Sequence, residues 1–226
     1  MASKPVTPRP LPRLYLATPL VEDPQSLLAT LPPLLSEADV AAVLLRLKPA
    51  DPRTLISRIK TLAPAVQASG AALLLEGHAE LVARAGADGA HLSGIAAFEE
   101  ALPTLKPDRI AGAGRLASRH DAMTAGELGA DYVLFGESDA RGHRPSVAAI
   151  CERLKWWDEL FELPSVGFAG EASEVGAFAA AGADFILLGD FVWQAGETPA
   201  AALRAVESAM RQARATAPAR AEAPQG

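Results

Sequence analysis

Arg46 and Lys48 stand two positions apart, directly after the apolar run Val43-Leu44-Leu45. A guanidinium grips an oxyanion through two parallel hydrogen bonds, and an ammonium adds a point charge beside it. The pair suits a phosphate or carboxylate; its plain alternative is two solvated loop charges. Arg115 follows another run, and His91 lies within one. An imidazole there can exchange protons with a ligand, or can simply hold its strand as a core histidine. Carboxylates follow four runs: Glu76, Glu137, Glu171 and Asp190. Each alone can be a helix cap or a first-turn acid, whereas together they form an acidic rim. Gly170 and Gly189 precede two of these acids. Glycine permits the close backbone approach that phosphate binding on N–H groups requires. These residues name candidates for binding and leave the catalytic residues unknown.

The elements that must position them are marked by a repeat. Gly-Ala-Asp occurs at Gly86-Ala87-Asp88, Gly129-Ala130-Asp131 and Gly182-Ala183-Asp184. Each copy follows an Ala-rich helical stretch and precedes a short apolar run. Gly just past a helix lets the chain turn left-handed and stop, so a buried strand can begin. Eight runs predict strands: Leu14–Ala17, Ala41–Leu45, Ala71–Leu75, Gly89–Leu92, Arg109–Ala113, Tyr132–Phe135, Ser165–Phe168 and Phe185–Leu188. Their continuous hydrophobicity fits strands buried on both faces. Between them lie helical stripes, clearest at Val147, Ile150, Cys151, Leu154, Trp157 and Phe161. Pro64 predicts a kink or early stop in the helix bearing Leu55, Ile59 and Leu62. Pro32 and Pro33 weaken the first helix.

The 226 residues, divided over eight units of roughly 28, predict one α/β domain folded as a (β/α)8 TIM barrel. An open doubly wound sheet is the alternative, disfavoured because no G-x-G-x-x-G follows the first strand. Residues 1–13 read as a flexible arm, 14–213 as the barrel and 214–226 as a disordered tail. A net charge of −6 without a basic cluster argues against nucleic acid. The single cysteine, Cys151, excludes an internal disulfide and a multi-cysteine metal site. No run is long enough to span a membrane, and the expected setting is cytoplasmic. Trp156 and Trp157 fit helix packing or an interface patch, so a homo-oligomer stays open. A small-molecule ligand is expected at the C-terminal strand ends, where such barrels place their sites.

From about Leu14 to Val192 the chain resembles the thiamine phosphate synthases and their relatives, the thiazole tautomerases. Val43-Leu44-Leu45-Arg46-Leu47-Lys48 is similar to the family's V-Q-L-R-x-K strand. Ala85-Gly86-Ala87-Asp88-Gly89-Ala90-His91-Leu92 resembles its A-G-A-D-G-V-H-L. Val166-Gly167-Phe168-Ala169-Gly170 stands where the family has A-I-G-G-I. The resemblance implies a role in joining or processing the thiazole phosphate and aminopyrimidine precursors of thiamine. It implies Arg46 and Lys48 as substrate contacts and Gly170 and Gly189 as phosphate contacts, while position within or just after a strand adds His91, Arg115 and Glu137 as candidate substrate contacts.

The departures are equally specific. The synthases carry N-D-R after the third strand and G-Q-x-D after the fourth, whose acids bind magnesium. Here the matching residues are Glu76-Gly77-His78 and Ser93-Gly94-Ile95-Ala96. The family's strand-two Gln is Leu44, and its Thr-rich, Lys-bearing loop is replaced by Glu137 to Arg144. The tautomerase histidine falls at Ala117, with His120 three residues on. If the family reaction is retained, Mg2+ is implied, held by Glu76 with Glu137; otherwise no cofactor is expected. The rival reading is a repurposed, non-catalytic small-molecule binder.

Overall fold

Each Gly-Ala-Asp glycine closes a helix in the left-handed region, with φ of 77° at Gly86, 94° at Gly129 and 97° at Gly182. The aspartate then does something the helix-stop reading leaves unexplained. Asp88 accepts the backbone N–H of Leu73, Asp131 that of Ala111, and Asp184 that of Ser165. Each partner lies at or next to the start of the preceding strand. The repeat thus ends a helix, starts a strand and satisfies an otherwise orphaned donor on its neighbour.

The computed structural model describes residues 10–194 and 198–216. Its strands are β1 (Arg13–Ala17), β2 (Val40–Leu45), β3 (Ala72–Glu76), β4 (Gly89–Ser93), β5 (Ile110–Gly114), β6 (Tyr132–Phe135), β7 (Ser165–Ala169) and β8 (Phe185–Leu188). They pair in parallel, in sequence order, and β8 pairs with β1 to close the barrel. The fold is a (β/α)8 TIM barrel, and the open-sheet alternative is excluded by that closure. Every strand end lies within one residue of its sequence-based expectation. Outward side chains such as Leu16, Val43, Leu73 and Ile186 pack beneath the helices. Inward ones, including Tyr15, Leu44, Leu74, Tyr132 and Val166, form a separate central cluster.

One helix departs from expectation. The segment Pro52–Gln67 runs straight through Pro64. Pro64 falls in the last turn, where only one carbonyl loses its donor, and Ala68 N–H closes the turn on the Pro64 carbonyl. At the other end the Asp51 side chain accepts the N–H groups of Arg53 and Thr54. Pro32 and Pro33 sit in the first turn of Leu31–Glu37, where no N–H is needed. The helix Val147–Leu160 buries Ile150, Leu154 and Trp157, while Cys151 is half-buried. At the chain ends, Arg13 already belongs to β1, and the last helix, Pro199–Thr216, continues past Ala213. The rest of the expected arm and tail lies largely outside the described residues. No described helix is long and apolar enough to cross a membrane.

Candidate active site at the barrel mouth

Strand β5 reads Ile110-Ala111-Gly112-Ala113-Gly114, and its inward positions beyond Ile110 are glycines. A Cβ on Gly112 would lie 2.0 Å from Cζ of Tyr132. One on Gly114 would lie 2.1 Å from Oε2 of Glu137 and 2.4 Å from Nε2 of His91. The missing side chains leave room for a polar chain that crosses the barrel. The Tyr15 and Tyr132 hydroxyls are 3.0 Å apart, Tyr132 Oη is 3.0 Å from His91 Nδ1, and His91 Nε2 is 3.4 Å from Glu137 Oε1. The His91 and Tyr132 rings stack at 7° between planes.

The proton order follows from satisfying each donor. Tyr15 O–H donates to Tyr132, Tyr132 O–H to His91 Nδ1, and His91 Nε2–H to Glu137. The reverse order leaves the buried Tyr15 hydroxyl with no acceptor. Among the described residues no buried side-chain polar atom lacks a partner. The His91 side chain is fully buried, whereas that of Glu137 is 13 % exposed, so Glu137 is the outer end of the chain. Burial pushes the Glu137 carboxyl up, but the His91 imidazole and Arg115 outweigh it and hold the group below the ordinary glutamate value. Burial, with Tyr132 and the mouth carboxylates adding to it, raises Tyr15 well above its usual value. Burial likewise raises Tyr132, against the hydrogen bond from Tyr15.

Arg115 connects β5 to this chain. Its φ of 49° is unusual for a residue with a side chain, and it turns the N–H onto Glu137 Oε2 at 2.7 Å. The exposed guanidinium makes no hydrogen bond or ion pair among the described residues. Arg115, Glu137, His143, Arg144 and Arg153 line a cleft of about 370 Å³ beside the mouth.

The other candidates are dispersed around the rim. Arg46 donates to the Thr18 carbonyl at 2.6 Å and pairs with Asp190, bracing the end of β1 against the segment after β8. Lys48 pairs with Glu22 at 2.5 Å. Glu171 is exposed and accepts from Ser173 at 3.4 Å. Gly189 N–H donates to the Ala169 carbonyl at 2.9 Å. Gly170 N–H donates at 2.8 Å to Glu174, whose carboxylate is held by Arg144 at 2.6 and 2.8 Å. His120 is exposed in the helix Arg119–Glu127, away from the His91 chain. Tyr15, Tyr132, Arg144 and Glu174 were missed by sequence reading. The tyrosines carried a faint signal, since the chain has only two and both fall in expected strands.

Magnesium is ordinarily held by one or two carboxylates, with water and substrate phosphates. Among the described residues no three His, Cys, Asp or Glu side chains gather to hold a metal. Both Glu137 oxygens are engaged, one by His91 and the other by the Arg115 N–H. Glu76 is exposed at the end of β3, and the described residues form no ready-made cluster for the ion.

The family model for thiamine monophosphate synthase matches residues 14–191. The chain belongs to this family. It is 40 % identical over 202 residues to a thiamine-phosphate synthase of Rhodospirillum centenum, covering 88 % of this chain and 98 % of the relative. It is 38 % identical over 206 residues to one of Hyphomonas neptunium, covering 88 % and 93 %. Among solved structures, thiamine phosphate pyrophosphorylase from Pyrococcus furiosus matches with a TM-score of 0.72 at 22 % identity, covering 89 % and 96 %. A 3-hexulose-6-phosphate synthase from Salmonella typhimurium matches at 0.67 and 17 % identity, covering 89 % and 99 %. The two structural likenesses establish the fold; membership of the thiamine monophosphate synthase family places the chain in thiamine biosynthesis.

Proposed function

We propose that this family member processes a ring-bearing thiamine precursor at the barrel mouth by proton transfer through Glu137. The observation that carries this is the buried Tyr15–Tyr132–His91–Glu137 chain, ending in a partly exposed carboxylate beside a cleft. Glu137 takes a proton from the ligand and returns it at another position. His91 acts behind it as a positioning residue, its Nε2–H fixing the carboxylate. A carboxylate held below its ordinary pKa is always ionised at neutral pH and correspondingly weak as a base. The proton it takes is therefore an acidic one, such as a C–H beside a positively charged ring nitrogen. Arg115, with its guanidinium uncommitted, orients an electron-rich group of the same ligand. Arg46 and Lys48 contribute to the far rim.

Hydrogen–deuterium exchange at the carbons of a thiazole precursor, followed by NMR, tests this reading. Turnover-dependent exchange that falls at least about 100-fold in Glu137→Gln supports it. Undiminished exchange in that variant overturns it. The names of the similar relatives favour a second reading, in which this chain joins the thiazole and aminopyrimidine precursors. That reaction requires a cation to offset charge developing on departing pyrophosphate, with Glu76 the available carboxylate. Brisk magnesium-dependent formation of thiamine phosphate, abolished in Glu76→Gln, would establish it. A ligand bound without turnover in either assay would indicate the non-catalytic alternative.

A further inference from the structure

We infer that Glu174 is a resident anion that fills the oxyanion seat at the end of β7, so that the mouth takes a ligand carrying no phosphate there. Barrels of this architecture commonly bind phosphate on the loops after the seventh and eighth strands. In this chain the donors for such a group exist and are already used. Gly170 N–H reaches Glu174 Oε2 at 2.8 Å. Arg144 crosses from the loop after β6 and grips both carboxylate oxygens, at 2.6 and 2.8 Å. Two parallel N–H bonds plus a backbone N–H are the donor set that recognises a carboxylate or a phosphate.

The seat is built independently of its occupant. Arg144 Nε donates to the Gly136 carbonyl at 2.8 Å, and Nη2 donates to the Phe168 carbonyl at 2.6 Å. The guanidinium also lies 5.3 Å from the centroid of the Phe168 ring. Two strand ends thus fix the fork. Glu174 is 7 % exposed, and its tether makes it an intramolecular ligand at high effective concentration. Burial raises its carboxyl, but Arg144 and the Gly170 N–H outweigh that and keep it ionised. An incoming phosphate would have to displace a tethered group of the same sign. The neighbouring Gly189 N–H offers no substitute, because it is committed to Ala169.

This inference rests on the reading that the mouth is the ligand site, but its test needs neither a precursor nor turnover. Inorganic phosphate is titrated into 15N-labelled parent protein, Glu174→Ala and the Arg144→Ala/Glu174→Ala double variant, with chloride at matched ionic strength as control. The Gly170 amide shift and the melting temperature are read together. The parent's Gly170 amide should be unmoved by millimolar phosphate. Glu174→Ala should bind phosphate at least about tenfold more tightly, and the double variant should lose that gain. Should Glu174→Ala fail to fold in chloride, phosphate or acetate should restore its folding. Phosphate moving the parent's Gly170 amide with the variant's affinity would overturn the inference. So would a folded Glu174→Ala with no gain, or an unfolded one that neither anion rescues. Exchange lost in Glu137→Gln bears only on the proton-transfer reading.

Discussion

A methyl group at Gly112 would meet the Tyr132 ring at 2.0 Å, inside any tolerable contact. Gly112→Ala must therefore push Tyr132 off His91 and strain β5. The expected cost is about 1–3 kcal/mol, read from the urea midpoint. Gly126→Ala is the matched control. Its Cβ would meet Leu163 only at 3.4 Å, within a helix that alanine favours, so it should leave the midpoint unchanged or raise it. Equal effects of the two substitutions would mean that the glycine gap is not what accommodates the polar chain. The same residues set the pH response. Glu137 and Glu174 are held below their ordinary values, so their stabilisation is full above about pH 4.3 and is lost as pH falls through the lowered folded values. Tyr15 and Tyr132 are raised, so theirs is full below about pH 10 and is lost as pH rises beyond it. Urea midpoints should fall at both extremes, and Glu174→Gln should flatten the acid side. An acid limb unchanged in that variant would remove Glu174 from the account.

Among the elements, β3, β5 and β7 each depend on an aspartate that precedes the next strand. Asp131 accepts the buried Ala111 N–H at 2.7 Å and pairs with Lys106 at 2.6 Å. Asp131→Ala leaves that donor unsatisfied, and the expected loss is about 1–3 kcal/mol of stability. Amide exchange should quicken at Ala111 in the variant while the mouth chemistry persists, because these caps lie at the N-terminal ends of the strands. Unchanged exchange at Ala111 would show that water replaces the carboxylate without cost. The mouth uses a different device at its own end. The loop after β6 reaches β7 through Arg144, and β2 reaches the segment after β8 through Arg46. A guanidinium hydrogen bond and an ion pair thus brace strand ends there that backbone pairing no longer joins.

At the scale of the whole molecule, closure of β8 on β1 ties the first strand to the last. Arg13, Leu14, Tyr15 and Leu16 register against Phe185, Ile186, Leu187 and Leu188, and the Trp193 indole donates to the Ala17 carbonyl at 2.7 Å. Neither half of the chain can complete the inner cluster alone. Urea unfolding followed by tryptophan fluorescence and by far-UV circular dichroism should therefore give coincident transitions. Trp156 and Trp157 report on one helix and Trp193 on the closure. Separated transitions, or two stable halves released by limited proteolysis, would refute a single cooperative barrel.

The fold was legible because its signals are local. Glycine stops helices by steric freedom, and short continuous apolar runs bury both faces of a parallel strand wherever they lie. Eight such runs with three Gly-Ala-Asp stops therefore favour the barrel over an open sheet, and closure of β8 on β1 decides between them. Individual candidates were legible too, since His91 lies within an expected strand and Arg115 and Glu137 follow expected strand ends. Their partnership was not. Tyr15 and Tyr132 are 117 positions apart, and Arg144 and Glu174 are 30 apart. No spacing rule links positions on different strands, because their distance is set by barrel closure and strand register. The same holds for charge. Sequence placed Asp190 and Glu171 beside the expected phosphate glycines, whereas folding paired Asp190 with Arg46, left Glu171 in solvent and brought Glu174 onto Gly170. Tertiary structure decided which carboxylate meets which donor, because only the closed barrel brings the loops after different strands together.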